Sequence, residues 1–202
     1  MKIGPKYKIA RRLGSAVFEK TQTAKFALHA EKRGAHMEGV RSRSNYGTQL
    51  LAKQKIRFTY GLTATQLANY IRKVIDSKSR KPEEMLYSML ERRLDRAVLR
   101  SGLAQTQRQA RQMVSHGHLR VNDKKITVPS YTVLNGDKIT IKDSSKEKGL
   151  FNEIEERLKN ANTPSWIKID LKTLSFVVDG EPQYKPIEVP FNIGEAIQFY
   201  KR

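Results

Sequence analysis

The chain has 202 residues, 39 Lys and Arg against 20 Asp and Glu, a formal net charge of +19 and no cysteine. Lack of cysteine excludes disulfides and thiolate metal sites. A charge of this size opposes compaction unless a polyanion balances it, so nucleic acid leads over an anionic membrane surface as the partner. No stretch approaches the ~20 apolar residues of a membrane span, and the N-terminus shows no signal-peptide apolar run. The expectation is a soluble intracellular protein with one core or two modest ones.

The excess charge is patterned. Residues 1–60 hold 14 basic and 3 acidic side chains, and residues 61–91 hold 5 and 4. Residues 92–142 hold 11 and 3, whereas residues 143–202 hold 9 and 10. Long Lys and Arg side chains solvate helix faces in many proteins, but that alone does not explain why the excess sits in two blocks separated by a neutral segment.

In chain order, "GPKYKIARRLGS" and "EKRGAHMEGVRSRSNYG" are basic, rich in glycine and short of bulky aliphatics. Such a segment buries little apolar area, which predicts loops and short helices that order on a partner. "QLLAKQKIR" from Gln49 reads as a helix with Leu50, Lys53 and Arg57 along one side. "TATQLANYIRKVIDS" is a clearer helix: Thr63 and Gln66 have capping-box spacing, and Leu67, Tyr70, Ile71, Val74 and Ile75 form an apolar stripe. "PEEMLYSMLERRLDRAVLRSG" reads as one helix from Pro82 to a stop at Ser101-Gly102. Its Leu86, Leu90, Leu94, Ala97 and Val98 pack, and Arg92, Arg96 and Arg100, with Arg93 close by, make a cationic row.

A second helix follows, with Thr106 and Gln109 at capping-box spacing and Ala110, Met113 and Val114 on its buried side. Arg108 and Arg111 stand apart from that side, and Gly117 ends the helix. Leu119–Val121 and Lys125–Val128 read as strands around the turn Asn122-Asp123, and "NGD" at 135–137 leads into the alternating "KITIK". Beyond Asp143, "FNEIEERLKNAN" predicts an amphipathic helix, "WIKIDL" and "LSFVV" predict strands, and "FNIGEAIQFYKR" a short packed element.

Catalytic and metal signatures are missing. There is no glycine-rich phosphate loop, no Gly-x-Ser-x-Gly and no metalloprotease helix signature. His116 and His118 share a face only if they lie on a strand, and they lack a third ligand nearby, so contact with RNA or solvent is the expected use. His29 and His36 fall in the cationic segment and read as polar contacts.

"RLDRAVLRSGLAQTQRQARQMVSHGHLRVN" at 93–122 resembles the S-four RNA-binding domain, which also occurs in some pseudouridine synthases and tyrosyl-tRNA synthetases. The flanks "GPKYKIARRLG", "SNYGTQLLAKQKIRFTYG", "TPSW" and the terminal "FYKR" are similar to the small-subunit ribosomal protein S-four family, bacterial type. That resemblance implies an α+β fold: a basic, mainly helical N-terminal lobe (1–91), an S-four RNA-binding domain of two helices packed on a small antiparallel sheet (92–155), and a C-terminal segment (156–202) packing back on the two lobes. It further implies a non-enzymatic structural constituent of the small ribosomal subunit. Such a protein binds a junction in the 5′ domain of the rRNA, nucleates assembly, and contributes to translational accuracy with ribosomal protein S-five. The implied partners are small-subunit rRNA, S-five and other small-subunit proteins, and mRNA near its entry channel. No membrane and no small-molecule substrate is implied. Many family members carry a zinc-binding cysteine cluster, which this chain lacks, so no metal and no cofactor is expected.

By position, the resemblance assigns RNA contact to Lys8, Arg11, Arg12, Tyr46, Gln49, Lys53, Lys55 and Arg57 in the first lobe. In the second it assigns Arg93, Thr106, Arg108, Arg111, His116 and His118, to which the basic hairpin adds Lys124. Arg41 and Arg43 occupy the place of mRNA-entry contacts. Plainer roles compete at some positions: Asp95 pairing with an Arg, Thr106 only capping, Tyr46 only packing. A free RNA chaperone or repressor built on the same domain is the competing function, separated from a ribosomal constituent by whether it co-sediments with small subunits at about one copy each.

Overall fold

The computed structural model describes residues 3–32, 44–146, 149–151 and 154–201. The helices are α1 (Lys6–Leu13), α2 (Ala24–Lys32), α3 (Asn45–Thr59), α4 (Ala64–Asp76), α5 (Pro82–Glu91), α6 (Leu94–Arg100), α7 (Gln107–Ser115), α8 (Asp143–Lys146), α9 (Ile154–Lys159) and α10 (Ile193–Tyr200). The strands are β1 (Leu119–Val121), β2 (Lys124–Lys125), β3 (Lys138–Ile141), β4 (Ile167–Asp170) and β5 (Ser175–Val178). The protein is α+β, and its backbone groups into one unit of Met1–Leu86 with Tyr184–Arg202 and a second of Tyr87–Gln183.

The first unit is helical. Its N-terminal segment has more core than its composition suggests: Ala10, Leu13, Val17, Phe18 and Phe26 are buried together, with Leu51 and Phe58 of α3 packed against them. The loops and short helices expected in this segment are present over residues 3–28, and they bury more apolar area than the composition implies. Ala10 and Leu13 of α1, the loop residues Val17 and Phe18, and Phe26 of α2 suffice once α3 supplies the opposing surface. Gly14 ends α1 with φ of 61°. Its N–H donates to the Arg11 carbonyl, and the Ser15 N–H reaches back to that of Ala10, a closure that needs the left-handed conformation glycine adopts without strain. The α4 start is the reciprocal capping box: Thr63 Oγ1 accepts from the Gln66 N–H, and Gln66 Oε1 accepts from the Thr63 N–H. Leu67, Ile71 and Val74 are its buried stripe. Helix α10 packs along α3.

The second unit is a five-stranded antiparallel sheet, order β2-β1-β3-β5-β4, with α6 and α7 contributing Leu94, Ala97, Val98, Ala110, Met113 and Val114 to the core beneath it. The β1–β2 turn holds Asn122 and Asp123 at φ of 47° and 64°, as a two-residue type I′ hairpin requires. Asp137 locks this turn to the next strand, accepting from Asn122 Nδ2 and the Leu134 N–H, while Asn122 Oδ1 accepts from the Lys138 N–H.

Three local expectations are corrected here. The single helix from Pro82 is two, because Arg93 takes an extended conformation (φ −66°, ψ 138°). Around it the Leu94 N–H donates to the Tyr131 carbonyl, the Asp95 N–H to that of Pro129 and the Val133 N–H to that of Arg92, so loop 129–133 takes bonds that a continuous helix would have made internally. The strand expected over Lys125–Val128 is correspondingly cut to Lys124–Lys125. At α7 only half of the capping box forms: Thr106 Oγ1 accepts from the Gln109 N–H, but Gln109 Oε1 accepts from the Gln105 N–H, one residue before the cap. The segment 156–202 divides between the units, since β4 and β5 complete the second unit's sheet and α10 belongs to the first.

Candidate nucleic-acid interface

Helix α1 reads KYKIARRL and carries four cations and no acid. Ala10 and Leu13 turn inward, which leaves Tyr7, Lys8, Arg11 and Arg12 exposed on the opposite arc. None of these cations is spent on an ion pair among the described residues.

Helix α3 is more mixed. Ser44 caps it by accepting from the Gly47 N–H. Tyr46 is half exposed, and its ring lies 5.6 Å from that of Phe199 in α10. Lys53 Nζ sits 4.0 Å from the Phe199 ring centroid and 5.3 Å from that of Tyr200. Burial first and the neighbouring Arg57 charge second lower the Lys53 pKa from lysine's usual value. Tyr46 and Lys53 thus fix α10 as well as facing outward. Gln49, Lys55 and Arg57 are half-buried, and the Arg57 guanidinium lies 4.6 Å from the Phe58 ring centroid.

The arginine row after Glu91 is not one cationic face. Glu91 and Asp95 are fully buried. Arg93, 1% exposed, binds Asp95 in bidentate geometry, with Nε to Oδ1 at 3.0 Å and Nη2 to Oδ2 at 2.8 Å. Arg96 Nε donates to Glu91 Oε1 at 3.1 Å, and Arg100 Nε to Oε2 at 2.8 Å. Arg93 is therefore corrected from an RNA contact to an internal strut, because a side chain closed over by protein and matched to a carboxylate presents nothing to a phosphate. Thr106 caps α7 with its hydroxyl.

The exposed side of α7 runs through Arg108, Gln112 and Ser115, and half-buried Arg111 stands 4.0 Å from Asp95. Past this helix Gly117, at φ of 69°, closes the C-terminus: its N–H donates to the Val114 carbonyl and the His118 N–H to that of Met113. His116 is exposed at the cap, while His118 Nδ1 lies 3.0 Å from Ser145 Oγ and its ring packs on Phe151. Lys124 is exposed on β2. Among the described residues no group of three or more His, Cys, Asp or Glu could hold a metal, and no helix is long and apolar enough to cross a membrane. Arg41, Arg43, His36 and the His29 side chain lie outside the described residues.

Sequence reasoning missed two features. One is Glu91, whose acid recruits Arg96 and Arg100; the only signal was an acid beside an arginine run. The other is the outer face of the sheet. Leu119, Val121, Ile139 and Ile141 point into the core, so the alternation turns Arg120 and Lys138 outward. Arg120 pairs across strands with Lys125 and Thr140, and Lys138 and Lys168 both oppose Val177. The period-two pattern of each strand carried that signal, but the strand order did not follow from it.

The sequence models of two families match the chain: "Ribosomal protein S4/S9 N-terminal domain" over residues 1–91 and "S4 domain" over residues 92–139. The "Small ribosomal subunit protein uS4" of Roseiflexus sp. is 37% identical over 206 residues, spanning 98% of each chain. The chain belongs to the uS4 family of small ribosomal subunit proteins. The uS4 of Streptomyces coelicolor is 38% identical, covering 98% of this chain and 97% of its own, and that of Aquifex aeolicus is 36% identical over 99% and 98%. The uS4 relatives are ribosomal proteins and not enzymes. The chain is accordingly a ribosomal, rRNA-binding constituent of the small subunit, and the exposed cations of α1, α7 and the sheet are the chemistry such a role requires.

Proposed function

We propose that this chain binds a multi-helix junction in the 5′ domain of small-subunit rRNA, that it nucleates assembly there, and that it shapes decoding accuracy together with S-five near the mRNA entry channel. The observation that carries this reading is that uS4 relatives match it end to end, both basic blocks included. A junction is read by shape, phosphates and 2′-hydroxyls rather than by base edges in a deep groove, which suits cations on several separate elements. The contacts assigned are Lys8, Arg11 and Arg12 of α1, Tyr46, Gln49, Lys53, Lys55 and Arg57 of α3, and Arg108, Arg111, His116, His118 and Lys124 around α7. Arg120, Lys125 and Lys138 of the sheet join them, and Arg93 and Thr106 act through the fold. The domain reading keeps a basic N-terminal lobe to residue 91 and the S-four domain from 92, and Arg41 and Arg43 remain the proposed mRNA contacts.

The test is binding to the 5′-domain fragment of bacterial small-subunit rRNA against a scrambled RNA of equal length at roughly 0.2 M salt, where nonspecific contacts are weak. A preference of about a hundredfold or more is expected. Equal affinity would reduce the protein to a general polyanion binder.

A further inference from the structure

Tyr7 is the one aromatic residue in the cationic arc of α1. One face of its ring is covered: Phe26 stacks on it with centroids 5.5 Å apart and planes 20° from parallel. The residue is nevertheless 50% exposed while Phe26 is 9% exposed, so much of Tyr7 stays accessible to solvent with Phe26 stacked on it. Arg11 lies one helical turn along on the same side, its Nε donating to the Tyr7 carbonyl at 3.4 Å, and exposed Lys8 and Arg12 form the adjoining row. A half-exposed flat ring, braced from behind by a buried ring on a helix that also exposes Lys8, Arg11 and Arg12, is poorly suited to an apolar protein surface. It is well suited to a nucleobase whose own phosphates run past those cations. Bases inside an A-form helix have no free face, so the occupant must be unpaired.

We propose that Tyr7 is a stacking platform for one unpaired base of the RNA, with Lys8, Arg11 and Arg12 holding the adjacent phosphates. This rests on the rRNA-binding reading above. The stack also explains why the ring remains exposed: covering Phe26 needs only an aliphatic side chain, and Tyr7 is larger and flatter than that task demands.

The experiment measures binding of the full-length chain to the 5′-domain RNA fragment as a function of salt, for wild type, Tyr7→Phe, Tyr7→Leu, Tyr7→Ala and Lys8→Ala. Stacking predicts that Tyr7→Phe binds within about twofold of wild type, and that Tyr7→Leu and Tyr7→Ala lose about five- to a hundredfold. The salt slope of the two weakened variants stays that of wild type, because a stacked base releases no counterion, whereas Lys8→Ala makes the slope shallower. Tyr7→Leu retains an apolar cover over Phe26, so its melting temperature checks that the loss is not unfolding. In Tyr7→Trp the new indole is expected to be quenched on RNA binding. Tyr7→Leu binding as tightly as wild type would overturn the proposal by showing that the ring only packs. Equal losses in Tyr7→Phe and Tyr7→Ala would overturn it by assigning the affinity to the hydroxyl. Wild-type protein with no preference for the fragment overturns the functional reading with it, whereas intact wild-type preference with an unaffected Tyr7→Ala overturns the stacking alone.

Discussion

Helix α1 and the α5–α6 junction are both arginine-rich, and they put arginine to opposite uses. At α1 no acid lies in the helix, and Lys8, Arg11 and Arg12 are exposed. At the junction two carboxylates with no solvent exposure draw Arg93, Arg96 and Arg100 inward. The difference teaches that a run of arginines announces a phosphate surface only where no buried acid competes for it. A guanidinium satisfied bidentately by a carboxylate is already in the geometry it would offer to RNA.

This comparison can be broken most sharply at Asp95. Replacing Asp95 by Ala removes the bidentate carboxylate partner of the buried Arg93 charge, and a loss of about 3–5 kcal/mol in unfolding free energy is expected in a denaturant titration. Near-wild-type stability would place Arg93 in water and return it to the interface. Glu91→Gln should cost less, about 1.5–3 kcal/mol, because the Arg100 side chain is 38% exposed and can turn to solvent. A larger effect than that of Asp95→Ala would make Glu91 the principal anchor. Thr106→Ala removes the α7 cap and should lower stability by about 1 kcal/mol, with RNA affinity changing only as far as folding does. A selective drop in affinity, measured at a temperature where the variant is fully folded, would restore Thr106 to the interface.

The smallest stability change belongs to the open surface. Lys8→Ala with Arg12→Ala should leave unfolding within about 0.5 kcal/mol of wild type. The same pair should weaken RNA binding and flatten the slope of log affinity against log salt by roughly 0.7–0.9 for each phosphate no longer neutralised. Arg108→Glu should behave alike on α7, with helix content by circular dichroism unchanged. An unfolded Arg108→Glu protein would merge the two classes of arginine that the structure separates.

Much of the architecture was legible because it is local. Thr63 and Gln66 three residues apart specify a capping box, Gly117 a left-handed helix end, and Asn122-Asp123 a tight hairpin; each depends first on the conformation of a few consecutive residues. Leu67, Ile71 and Val74 declared their stripe by period alone. The break at Arg93 was not legible, because Leu86, Leu90, Leu94 and Val98 keep helical spacing straight through it. What interrupts the helix is loop 129–133, some forty residues away in sequence, offering carbonyls to the Leu94 and Asp95 N–H groups.

The candidate surface divides along the same line. The basic blocks, caps and apolar stripes were legible in the sequence because composition and periodicity are properties of short stretches of chain, and the motif resemblance implied the fold class and the family. Only the tertiary structure decided which cations are available. Burial of Glu91 and Asp95, stacking of Phe26 under Tyr7 and of Phe199 under Lys53, and the outward turn of Arg120 and Lys138 all join residues distant in sequence or set by strand pairing. The physical reason is that a charge's role depends on its distance to the nearest opposite charge and to water, and folding alone sets both distances.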